Sequence, residues 1–320
     1  MFGVLLYNRV QERGARRAAE RTFRSAHADV LLDGAAPDRE PAAEAPRASS
    51  RATPPQDAAL PDERIDYIVE LALERPAAQP SAQAAIQQQW NAIERRHARR
   101  ALLAGSAGGK SWRAALQLVS RDGAVGEADL IEFRSSVETL AASIGASVTA
   151  PEMRGAMEAA RELDQFCAET DIQVVVHVVA PPGARFTGSK VRAAAEAGGL
   201  ALETDGRFAL RNDEQRLLYA LAARDGAPFS AATMRDAELQ ALTLALDVAR
   251  TRDTRRTFEA MTRLAHHLAA ALGGSIVDDN GNELDERAVA AIALQLDAVR
   301  AKLEARGVPP GSPAALRLFS

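Results

Sequence analysis

The stretch Ala104-Gly105-Ser106-Ala107-Gly108-Gly109-Lys110-Ser111 carries the residue types of a phosphate-binding loop, with Ala in the first glycine position. In such a loop, backbone N–H groups and a helix N-terminus surround the phosphates, with the lysine on them and the hydroxyl on magnesium. The flanking pattern does not supply that helix. Residues 112–120 alternate at period two, so a strand follows Lys110. Asp247 ends an apolar run, as a magnesium-binding carboxylate would, but it belongs to the other half of the chain. A Gly-rich hairpin loop is the better reading. Asp278-Asp279-Asn280-Gly281-Asn282-Glu283 invites a calcium ion, yet the sixth place, which needs Gly, holds Glu283. A hairpin turn fits it better. His266 and His267 are adjacent on a helix and diverge, so they cannot grip one metal. Cys167 has no histidine near it in sequence to activate it and reads as a core or boundary thiol. No Ser–His–Asp order and no paired-carboxylate spacing stands out. These residues indicate no enzyme, no cofactor and no metal site.

Composition narrows the classes further. The chain has 320 residues and a formal net charge of −4, so a uniformly basic nucleic-acid coat is excluded. A single cysteine excludes a disulfide framework and any multi-cysteine metal site. No run approaches the roughly 18 apolar residues of a membrane span. The length suits two domains of about 100–150 residues each.

Several elements position these residues. Residues 1–7 (MFGVLLY) are apolar and run into Arg9, Arg13, Arg16, Arg17, Arg21 and Arg24. This fits the end of a membrane helix with its basic cytoplasmic flank, and it also fits a solvated N-terminal helix. We divide the chain into 1–33 as anchor end and basic flank, 34–62 as a Pro/Ala-rich disordered linker, 63–170, 171–307 and a loose tail at 308–320. Alternation marks strands at Ile65–Leu71 positions of like parity, at 101–103, at 113–120, at Val174, Val176 and Val178, at 217–222, and at Leu242, Leu244, Leu246 and Val248. Helical spacing covers 81–98, 127–144, 151–166, 189–197, the run through Phe258, Met261, Ala265, Leu268 and Leu272, and a last helix with Asp285 as N-cap. Asp205-Gly206 and Asn280-Gly281 mark hairpin turns.

The two halves resemble each other. Leu116 and Leu118, moved 128 positions, fall on Leu244 and Leu246. At the same offset Leu130, Phe133, Val137, Leu140 and Ile144 fall on the stripe from Phe258 to Leu272, and Gly145 falls on Gly273. A shared strand-to-helix offset points to a diverged tandem duplication. The expected fold is α+β: an antiparallel sheet with helices packed on one face, present as a tandem repeat.

The stretch 171–307 resembles the C-terminal FtsZ-binding domain family of the bacterial cell-division protein ZipA. The resemblance is carried by 258–279, above all Leu272-Gly273-Gly274-Ser275-Ile276-Val277-Asp278-Asp279, and by the order of elements. It implies a non-enzymatic protein whose open sheet face receives the FtsZ C-terminal peptide. It also implies a tether on the cytoplasmic face of the inner membrane at the division septum, with no nucleic acid among its partners. The family has a membrane helix, a basic flank and a Pro-rich linker before the domain. Here the membrane helix is mostly missing, and an extra structured region at 64–166 reads as a degenerate copy. Strand parity places Gln173, Val175, His177, Asp205, Arg207, Ala220, Ala222, Thr243, Ala245 and Asp247 on the open face, with Arg224 beside them. Where the family would have large apolar residues, several of these are Ala, Asp or Arg. The runner-up is an adaptor of the same fold with another partner; a nucleotide-binding enzyme is a distant third.

Overall fold

The computed structural model describes residues 7–8, 60–77 and 79–320. The basic flank, and the linker apart from its last three residues, lie outside the described residues. Of residues 1–7, read as the end of an apolar helix, only Tyr7 is described. It lies in a two-residue strand, β1 (Tyr7–Asn8), paired with Gln173 and Ile172.

The first half runs β2 (Asp66–Leu73), α1 (Pro80–Glu94), β3 (Ala101–Gly105), β4 (Ser111–Gln117), a small β5–β6 pair (Val119–Ser120 and Gly123–Ala124), α2 (Glu127–Ile144), β7 (Ala146–Thr149) and α3 (Met153–Thr170). Its sheet has the order β3-β4-β2-β7, antiparallel at each contact. Tyr67, Val69, Leu71 and Leu73 point to one side, where α1 and α2 bring Trp90, Leu130, Phe133 and Val137 into the core. Phe133 meets Tyr67 and Trp90 edge-on at ring separations of 6.3 and 6.2 Å, a favoured aromatic geometry.

The second half runs β8 (Ile172–Val179), β9 (Phe186–Thr187), α4 (Gly188–Ala197), β10 (Ala201–Leu202), β11 (Phe208–Arg211), β12 (Leu217–Ala223), β13 (Glu238–Leu239), β14 (Ala241–Asp247), α5 (Thr254–Leu272), β15 (Ser275–Val277) and α6 (Glu286–Ala305). The strand order is β10-β11-β12-β14-β8, with β15 on the outer side of β8. Val174, Val176, Leu242, Leu244 and Leu246 are buried, as are Phe258, Met261, Ala265 and Leu268 of α5. Asp285 caps α6 by accepting from the Ala288 N–H. The fold class is therefore α+β, antiparallel sheets with helices packed on one face.

The two sheets share a connection pattern. β3-β4-β2-β7 and β12-β14-β8-β15 have the same sequence order, each with a helix after the first strand and another before the last. Both α2 and α5 end at a glycine in the left-handed region, Gly145 at φ 66° and Gly273 at φ 70°, where a side chain would be strained.

Two expectations change. The helix placed at 151–166 continues to Thr170. The tail, expected to be loose, holds α7 (Pro313–Leu318), and Val308, Ala315 and Phe319 are buried. Its prolines read as breakers, but Pro313 stands in the first helical turn, where a missing N–H costs nothing. Ser312 caps that turn by accepting from the Ala315 N–H.

Candidate functional site

The phosphate-loop candidate closes the β3–β4 hairpin. Ser106 N–H donates to the Ser111 carbonyl, and Gly109 N–H to the Ser106 carbonyl. Lys110 leads directly into β4, so no helix follows the lysine. Gly109 has φ 63°, and a Cβ there would sit 2.4 Å from the Ala77 carbonyl oxygen. The glycine serves the close packing of residue 77 on the hairpin. His266 and His267 are exposed and Cys167 is buried. Among the described residues no cluster of His, Cys, Asp or Glu could hold a metal ion, and no helix is long and apolar enough to cross a membrane.

On the second sheet, eight of the expected face residues meet in three cross-strand rows. Gln173 lies opposite Asp247. Val175, Ala245 and Ala220 form the middle row, which Ala209 extends on β11. His177, Thr243 and Ala222 form the third. The alternate residues of these strands feed the helix-side core, so the rows occupy the other face. Val175, Thr243, Ala245 and Ala222 are half-buried; the small side chains of the middle row leave a shallow trough.

The ends of the trough are polar. His177 is only 5% exposed. One ring nitrogen, Nδ1, lies 2.9 Å from Thr243 Oγ1, and the other, Nε2, 2.7 Å from Asp279 Oδ1. Asp279 comes from the turn after β15. In that turn Asp278 accepts from the N–H groups of Asn280 and Asn282. Burial raises the Asp278 carboxyl, but these hydrogen bonds outweigh it and hold it below its usual range. At the other end Arg250 N–H donates to Asp247 at 3.3 Å. There the tail crosses the strand ends, with Gly311 N–H on the Ala249 carbonyl and Arg216 on the Gly311 carbonyl.

Asp205 and Arg207 stand on the exposed β10–β11 turn and bind each other, Arg207 Nε to Asp205 Oδ2 at 2.9 Å. Burial pushes the Asp205 carboxyl up, yet the Arg207 bonds prevail and lower it. The register runs Arg207 toward the Ala222 row. Arg224 is exposed just past β12. Sequence parity missed Asp279, which is 102 residues from His177 and gave no local signal. It also missed Ala209, which the parity of Phe208 and Leu210 could have supplied.

Residues 172–295 match the family model described as ZipA, C-terminal FtsZ-binding domain. No curated protein matches the chain. A crystal structure of the regulatory subunit of aspartate kinase from Thermus flavus is similar at 12% identity, over 64% of this chain and 92% of that chain, with a TM-score of 0.19. At that score the likeness carries no argument.

Proposed function

We propose that this chain is a non-enzymatic cell-division protein that binds the C-terminal tail of FtsZ across the open face of its second sheet. The carrying observation is the coincidence of two findings: the segment matching the FtsZ-binding family is the one whose helix-free face gathers Val175, Ala245, Ala220 and Ala222 into a trough. Apolar anchors of a peptide would seat on Val175 and the alanines, while Arg207 and Arg224 stand where acidic peptide residues could meet them. His177, which binds both Thr243 and Asp279, stands with Thr243 at one end of the trough as part of the same peptide site. The arginines at positions 9–24 support the tether at the cytoplasmic face of the inner membrane, at the septum. The matching strand order of the two halves supports a diverged tandem duplication. A second reading, an adaptor of the same fold for another partner, is favoured by the small side chains of the middle row.

Calorimetric titration with an FtsZ tail peptide tests the assignment. Val175→Glu and Ala245→Arg should each abolish binding while the thermal melt stays near that of the parent. Retained affinity in both variants would move the site elsewhere.

A further inference from the structure

The face of the first sheet turned away from α1 and α2 is already occupied by the end of this chain. The two sheets can be aligned by register. Leu116 opposes Tyr67, and Leu244, 128 positions on, opposes Val176. One step along, Gln117 opposes Asp66 in the first sheet where Ala245 opposes Val175 in the second. The Asp66–Gln117 row is thus the counterpart of the middle of the trough.

Both residues of that row are buried, and both bind Arg317 of α7. The Arg317 guanidinium pairs with the Asp66 carboxylate, with Nη1 on Oδ2 at 3.0 Å, and Gln117 Nε2 donates to the Arg317 carbonyl at 3.2 Å. The side chains of Arg317 and Asp66 are 4% and 0% exposed. Arg317 Nη1 also reaches the Leu60 carbonyl. Ile68 and Ala115, the next row on the same face, are buried too, and so are Leu318 and Phe319 at the end of the tail.

We propose that the first sheet's face is a second peptide-binding site, specific for a short Pro-initiated helix that carries an arginine beside apolar residues, and that residues 313–320 fill it in cis. A buried carboxylate favours an arginine, whose two Nη groups reach both Asp66 oxygens, over a neutral residue that would leave Asp66 without a charged partner. Gln117 reads the helix backbone from the neighbouring strand. The buried Leu318 and Phe319 supply the apolar anchors. Covalent attachment keeps the local concentration of this segment high, so an outside peptide of the same chemistry is shut out while the tail is in place.

The test uses a synthetic peptide of residues 309–320 and a chain ending at 308. The truncated chain should bind the peptide at one saturable site. Binding should vanish with Asp66→Asn in the chain or Arg317→Ala in the peptide, and the intact chain should bind none. A folded truncated chain that ignores the peptide overturns the proposal, as does equal binding by the intact chain. Should truncation unfold the protein, a full chain cut after folding at a protease site placed beside Gly307 decides the matter. The cut tail should co-elute with the body and leave on Asp66→Asn substitution. A tail that leaves the unsubstituted body at once, or stays on the substituted one, overturns the proposal.

Discussion

The two sheets share one connection pattern but carry different side chains on their outer faces. In the first, the row Asp66–Gln117 is charged, buried and bound to Arg317. In the second, the equivalent row is Val175–Ala245, uncharged and half-buried. The next row shows the same divergence. Ile68 and Ala115 are buried apolar residues, whereas His177 is hydrogen-bonded to Thr243 on one side and to Asp279 on the other. The edges differ as well. β12 carries β11 on its outer side, with Phe208 buried against the core, while β3 is the last strand of its sheet among the described residues. The two faces thus differ by two or three side chains per row on one shared strand order.

The largest break in this comparison comes from the ion pair. Burial pushes the Asp66 carboxyl up against the pull of Arg317, the mark of a desolvated pair. Removing one partner strands the other in a dry site, at a cost of about 3–5 kcal/mol. Arg317→Ala and Asp66→Ala should each lower the thermal midpoint more than any single substitution in the second-sheet trough. The double variant Asp66→Leu with Arg317→Met should recover most of that loss in chemical denaturation. A double variant as unstable as the singles would show that the tail is held by something other than this pair.

A smaller effect is expected at the second sheet's polar wall. Asp279→Ala takes away one of the two partners of a buried imidazole, which costs about 1–3 kcal/mol. Denaturant unfolding should show a loss in that range, below that of Arg317→Ala. The Asp279 turn should become more mobile by amide exchange. No change in stability would mean that His177 is satisfied without Asp279.

These long-range contacts are what sequence reading could not supply. Local patterns marked what local physics sets: the alternation of Leu242, Leu244 and Leu246, the stripe of α5, the cap at Asp285 and the turn at Asp278-Asp279-Asn280-Gly281. The eight face residues of the second sheet also followed from parity, because a strand of period two has only two faces. Asp66 and Arg317 are 251 residues apart, and neither carries a mark of its partner. By sequence Asp66 is a polar position between the apolar residues Ile65 and Tyr67, yet it points into a buried contact. The tail departs from its expected looseness for a related reason. Its prolines have a local meaning, but its order comes from burial against the other half.

The smallest effect concerns pH, and it compares one carboxylate from each half. Asp62, beside the first sheet, is held below its usual value of 3.8 chiefly by the side-chain bond from Arg64, with burial opposing. Asp278, in the turn that presents Asp279, is also below 3.8, since bonds from Asn282 and Asn280 outweigh its burial. A carboxyl whose folded value lies below its unfolded value binds fewer protons in the folded state. Its contribution to stability is therefore present in full above 3.8 and is lost as pH falls through the folded value. Asp62→Asn and Asp278→Asn should each lower the thermal midpoint slightly at neutral pH. The gap from the parent should close as pH drops below 3.8, where the parent's own carboxyl becomes protonated. Both groups face solvent in part, so added salt should narrow the Asp62 gap, which depends on a charged partner. It should leave the Asp278 gap nearly as it was, since that carboxylate accepts from neutral donors. Equal salt sensitivity in the two variants would show that charge, and not hydrogen bonding, stabilises the turn in front of His177.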